Sequence, residues 1–295
     1  MPARSFILLT IICFVWALNV VVSKVVIDTM GVPPMFYAAA RSLVVLAVLF
    51  PWLRPIPANL LRIAIVTLSV SGGAFALLFL GLRYSSPASA AVVNLLGAPL
   101  TVVFAILILK EVIGWKRGVG IGLTFLGVGV AIASPSGMQG SFGLIFVGLS
   151  AALGAWGSVL LKRIDVSPRR LQAWAGLTST VVLFPLSFAT ESQQVHASVA
   201  AGWPFVAALL FSAVIVSVLA HTAYFKMLKD YDANLIAPLT LMTPMMTIAL
   251  GAWLTDDPVG PFLVAGAVIA ASGVLVIMLR PSRLIPKSRL VRARL

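Results

Sequence analysis

The chain has 295 residues, 61% of them hydrophobic and only 10% charged, with a mean hydropathy of +1.10. Soluble domains carry about 25% charged residues, so too few polar side chains remain here to cover a water-facing surface, and lipid must be the main solvent. The net charge of +13 sits mostly in short segments between apolar runs, which excludes a nucleic-acid binder and fits a membrane protein anchored by its loops.

A hydrocarbon core about 30 Å thick needs roughly 20 apolar residues rising about 1.5 Å each. The first run, 5–27, follows Arg4 and contains Cys13, the only cysteine, so no disulfide forms within the chain. The run is long for a secretory leader and no small-residue cleavage site closely follows it, so a retained helix is expected. Nine further runs follow at 34–53, 62–83, 87–109, 115–134, 141–161, 171–190, 203–226, 234–254 and 260–279. "GVPP" at 31–34, "RPIP" at 54–57, "SPSG" at 134–137 and "DDP" at 256–258 punctuate them. The runs are continuously apolar without alternation, which predicts helices rather than strands, and a helix satisfies its own backbone in lipid.

With the N-terminus in the cytoplasm, eighteen lysines and arginines fall in the inner segments, including Arg54, Lys116, Arg169 and six from Arg280 onward, while only Lys24 and Arg83 fall outside. Both termini are therefore expected on the cytoplasmic side.

The stretch "GAPLTVVFAILILKE", Gly97–Glu111, returns as "MTPMMTIALGAWLTD", Met242–Asp256, with a proline twelve residues before an acid in both. Ala76 and Tyr84 correspond to Ala223 and Tyr231, and Gly122 and Gly129 to Gly266 and Gly273, with one gap. The chain reads as a duplicated five-helix unit: 1–137, then 138–280, then a basic cytoplasmic tail at 281–295. Five is odd, so the second copy enters the membrane from the opposite side. The predicted architecture is an all-α integral membrane protein of ten transmembrane helices, two inverted repeats around a central cavity, and such symmetry suits alternating access.

"FVWALNVVVSK" at 14–24, "AARSLVVLAVLF" at 39–50, "RYSSPASAAVVNLLGAPLTVVFAILILKE" at 83–111, "GVGIGLTFLGVGVAI" at 118–132 and the echo in the last two helices resemble the drug/metabolite transporter superfamily, in particular its EamA-type ten-helix exporters. "LKE" at 109–111 and "LTD" at 254–256 depart from the Gly-Glu usual at those turns. The resemblance implies export of small metabolites, often amino acids, through a cavity formed by helices 1–4 and 6–9, with helices 5 and 10 peripheral. Among such proteins the chain looks most like amino-acid exporters of bacterial inner membranes.

Pro99 and Pro244 occupy matched depths and are expected to kink helices 4 and 9 around the cavity and gate it. Glu111 and Asp256 are expected to fix the turns after those helices, near the positive end of a helix dipole, or to form a gating salt bridge. Arg41 lies inside helix 2, where an arginine needs a partner or a cavity; a substrate carboxylate, Asp28 and snorkelling outward are the open alternatives. Trp16 and Asn19 in helix 1, Trp156 and Ser158 in helix 6, and Asn94 and Thr243 beside the prolines offer aromatic walls with a few amide and hydroxyl groups. That lining suits a zwitterion, against the alternative of interhelical packing. His221 and Tyr224 share a face of helix 8 and are candidates for substrate contact or proton carriage. Gly114, Gly118 and Gly122 form overlapping small-residue steps for helix packing, internal or between two copies.

All eight carboxylates map to helix ends or loops, which favours transport without an intramembrane proton-carrying acid. No cofactor or metal motif is found, and no enzyme activity is expected; an intramembrane enzyme is the remote alternative. A sugar-phosphate or nucleotide-sugar antiporter is the nearer one, though its anionic substrates need several buried cations. The expected partners are a small-molecule substrate and membrane lipids, with no nucleic acid, and the state is monomer or homodimer.

Overall fold

The computed structural model describes residues 2–56, 59–133, 138, 140–162, 164, 166–231, 236 and 239–279. The expected breaker at 134–137, residues 234, 235, 237 and 238 of the expected helix 9, and the tail at 281–295 lie outside these residues. Among the described residues, nine helices are long and apolar enough to cross a membrane: α1 Ala3–Asp28, α2 Pro34–Leu53, α3 Leu60–Leu82, α4 Pro87–Leu109, α5 Trp115–Ile132, α6 Ser141–Leu161, α7 Pro168–Thr190, α8 Gln194–Tyr224 and α10 Pro261–Met278. The shorter apolar helix α9, Met242–Leu254, completes the ten. Four of them (α2, α4, α7 and α10) open on a proline at their first helical position, where the missing N–H has no intrahelical acceptor to lose. The helices run alternately up and down. The α1–α2 and α9–α10 connections define an upper face, and the α4–α5 connection the lower one.

The two halves share their irregularities. Leu68–Gly72 in α3 and Phe211–Ala220 in α8 are wide π-helical segments, which coincide when Ala76 is laid on Ala223. Helix α4 is interrupted between Asn94 and Gly97: Pro99 cannot donate to Leu95 O, which accepts from Ala98 N instead, at 3.3 Å. In the second half Thr243 N bonds Thr240 O at 3.0 Å, one residue before Pro244, so the same tight turn precedes α9. Helix α8 begins at Gln194 rather than near 203 and bends at Gly202, whose φ of 59° and ψ of −140° are non-helical, just before Pro204.

Lipid supplies no hydrophobic drive between helices, so close fit has to hold them together. The tightest seam joins α5 to α10. A Cβ on Gly120 would lie 2.8 Å from Gly273 O, and Cβ atoms on Gly127 and Gly266 would collide with the backbone opposite. Thr124 Oγ1 reaches Gly120 O at 2.9 Å and Ala270 O at 3.5 Å inside the seam. The packing glycines are thus Gly120 and Gly127, which pair with Gly273 and Gly266. Gly114, Gly118, Gly122 and Gly129 face open space, so the expected packing stripe points away from this chain's own helices.

Candidate functional site

The broken helices meet a cavity in the middle of the molecule. One chamber, of about 240 Å³, is walled by Trp16 and Val20 of α1, by Asn94 of α4, and by Thr243, Pro244 and Thr247 of α9. The other, of about 310 Å³, is walled by Phe75 of α3, by Asn94, Gly97 and Thr101 of α4, and by Ser150 and Ser158 of α6. The chambers share Leu78 and Asn94. Asn94 is the last residue of the first half of α4, at the interruption. Val274 and Met278 of α10 also line the first chamber, so that helix is not wholly peripheral.

Trp16 Nε1 is buried without a hydrogen-bond partner among the described residues, and Thr243 Oγ1, also buried, has only the weakly bonding thiol of Cys13 beside it; both residues border the first chamber. An unmade bond on a buried polar atom costs about 1–3 kcal/mol, which a polar ligand would recover. Trp16 is held by aromatic neighbours: His221 lies 5.2 Å and Tyr224 5.1 Å away between ring centroids, the second edge-on. His221 Nδ1 stands 2.8 Å from Val216 O, and since a carbonyl only accepts, Nδ1 carries the proton. His221 and Tyr224 therefore back Trp16 and border neither chamber. Asn19, buried on α1, and Trp156 on α6 also border neither.

Arg41 is buried at 4% exposure in a separate space of about 10 Å³. Its Nε and Nη2 donate to Ser217 Oγ at 3.0 and 2.7 Å, and Nε also to Ser212 O at 3.3 Å. Its guanidinium carbon lies 3.6 Å from the centroid of Phe75, the ring that borders the second chamber. Asp28, the expected alternative partner, pairs with Lys24.

Residues 3–133 and 141–279 match the EamA-like transporter family. The chain belongs to this family. It is similar to a probable amino-acid metabolite efflux pump of Escherichia coli (strain K12), 27% identical over 94% of this chain and 95% of the relative. The pump of the same name from Salmonella typhimurium is 28% identical over the same shares. An uncharacterised transporter of Archaeoglobus fulgidus is 24% identical over 93% of this chain and 97% of its own. A crystal structure at 18% identity has the same fold, with a TM-score of 0.59 over 91% of this chain and 95% of that one.

Two carboxylates join the halves of the chain at the upper face. Glu191, after α7, accepts from Met35 N at 2.9 Å and Phe36 N at 3.0 Å, at the start of α2. Asp257, after α9, accepts from Ala88 N at 2.8 Å, at the start of α4, and from Thr255 Oγ1 at 2.9 Å. Each acid thus sits on the positive end of a helix in the other half. At the lower face Glu111 accepts from Lys162 Nζ at 3.2 Å, with the lysine side chain 52% exposed.

The acid that answers Glu111 is Asp257, not Asp256. Lys110 and Asp256 are both left-handed, with φ of 56° and 50°. The next N–H in each turn bonds back six residues, Glu111 N to Ala105 O at 3.3 Å and Asp257 N to Gly251 O at 3.1 Å. This is the same helix-ending motif twice, and in both the acid that follows the left-handed residue, Glu111 or Asp257, is the one that finds a partner. Asp256 is exposed.

Sequence reasoning missed Phe75, Thr101, Ser150, Thr240 and Thr247. Two signals were available. Asn94, Gly97 and Thr101 recur at i, i+3 and i+7 in the sequence, and so do Thr240, Thr243 and Thr247, the spacing that in an unbroken helix marks one face.

Proposed function

We propose that this EamA-family membrane transporter exports neutral or aromatic amino acids, or metabolites of the same zwitterionic chemistry, across a bacterial inner membrane by alternating access. The observation that carries the reading is the two-chambered cavity at the paired helix breaks, with Asn94 in both chambers and the unsatisfied Trp16 Nε1 beside the first. An indole N–H suits a carboxylate, the asparagine amide suits either charged end, and the apolar remainder suits a variable side chain. Among the described residues, no lysine or arginine borders either chamber, which speaks against multiply charged phosphorylated substrates. The efflux direction follows the two bacterial relatives named as efflux pumps. The described carboxylates of Asp28, Glu111, Glu191 and Asp257 are engaged at helix ends, which supports movement driven by the substrate's own gradient, with both termini cytoplasmic.

Proteoliposomes preloaded with a mixed pool of labelled amino acids test this. Selective efflux of neutral or aromatic species is expected, reduced about tenfold or more by Asn94→Ala or Trp16→Ala, as loss of one binding contact worth about 1.4 kcal/mol implies. Retention of every amino acid while a phosphorylated metabolite exchanges would overturn it.

A further inference from the structure

We propose that the small space beside Arg41 is a binding site for a monatomic anion of the halide class, which serves as the fixed counter-charge of this intramembrane arginine. Arg41 lies between the two π-helical segments, with Ser71 contributed by one and Ser212 and Ser217 by the other. Every bond that Arg41 makes is to a neutral group. Of the described carboxylates, Asp28, Glu111, Glu191 and Asp257 are held at the membrane faces by other residues, and Asp256 is exposed. A buried charge without an opposite charge is the costly case, and the Phe75 ring offsets it only in part.

The lining of the space holds one positive charge and no negative one. Ser217 Oγ takes two guanidinium bonds and gives its own proton to Ser212 O. Ser42 Oγ gives its proton to Ala38 O. The donors that remain are Arg41 Nη1, which makes no hydrogen bond among the described residues, the second N–H of Gln172 Nε2 after its bond to Ser217 O at 3.3 Å, and the Ser71 hydroxyl; the acceptors that remain, Gln172 Oε1 and the Ser71 oxygen, are neutral. Donors converging on a space of about 10 Å³, near the minimum of about 10–15 Å³ for one water-sized particle, select a single small acceptor. Water fits but leaves the charge uncompensated. An amino-acid carboxylate with its chain is too large while Phe75 stands between this space and the second chamber.

Thermal unfolding of the purified protein in detergent, with chloride replaced by gluconate at constant ionic strength, tests the site. The wild type is expected to gain roughly 2–4 °C with rising chloride and then saturate, as a ligand that binds only the folded state does. Gln172→Glu places a carboxylate in the same space. It should lose the chloride response and, in gluconate, melt no lower than the wild type in chloride. A flat wild-type profile would overturn the proposal, and so would an equal chloride response in both proteins, which would put the halide elsewhere. Abolition of the response by a neutral amino acid but not by its decarboxylated amine would also overturn it, because Arg41 would then hold the substrate carboxylate.

Discussion

Helices α4 and α9 carry the same backbone interruption with different side chains around it. Both turn just before a buried proline, and both end in a left-handed residue followed by an acid that finds a partner. At the interruption, however, α4 offers the amide of Asn94 to both chambers, while α9 offers Thr243 to one. The π-helical segments repeat the lesson, since only the one in α8 binds Arg41 through its serine. Under the proposed alternating access, shared backbone defects let both halves bend in the same way. Side chains diverge because a bound molecule has no such symmetry.

The largest expected effect concerns the α5–α10 seam, the counterpart of the open cavity. Gly127→Val should cost about 3 kcal/mol in unfolding experiments, since the added atoms meet backbone rather than flexible side chains. Gly122→Ala, facing open space in the same helix, should instead stabilise by up to about 1 kcal/mol. Equal costs at the two positions would refute the glycine register. Next in size are the prolines. Pro99→Ala and Pro244→Ala each restore an amide donor, and each should slow efflux about tenfold, a barrier change of about 1.4 kcal/mol. Equal factors would show the two breaks sharing the motion, unequal ones would show which helix leads, and unchanged efflux in both would remove them from the gate.

The smallest effect separates neighbouring acids. Asp257→Ala should cost about 1 kcal/mol through loss of its bond to the start of α4, whereas Asp256→Asn should stay within about 0.5 kcal/mol. Burial pushes the Asp257 carboxyl above its ordinary value of 3.8, against the opposing hydrogen bonds from Ala88 and Thr255 and the charge of Lys24. The folded protein therefore holds this proton more tightly than the unfolded chain. The contribution of the group to stability is greatest in acid and declines as pH rises from 3.8 through the raised value. A melting profile against pH should lose that decline in Asp257→Asn, and its persistence there would assign it to another group.

Ten helices, their alternating direction and the paired prolines were legible in the sequence, because a bilayer imposes length and proline removes a specific donor. The glycine register was not. Gly120 and Gly122 lie two apart, and only a partner helix decides which face is buried. Nor was the choice between Asp256 and Asp257, where the repeated spacing counted residues while the left-handed turn set direction. Trp16, Asn94, Ser158 and Thr243 reach the cavity, but Asn19 and Trp156 do not: equal depth along a helix says nothing about rotation around it. The isolation of Arg41 by Phe75 depends on the π-helical segments, and these have no sequence period of their own.

The bend at Gly202 settles how α8 meets the bilayer. Its 31 residues, if straight, would reach about 46 Å, against about 30 Å of hydrocarbon. The arm before the bend carries Val195 and Val199, and Trp203 follows it, all exposed; an indole of this kind is at home among headgroups. The length that α8 presents to lipid is therefore set by the bend rather than by its residue count.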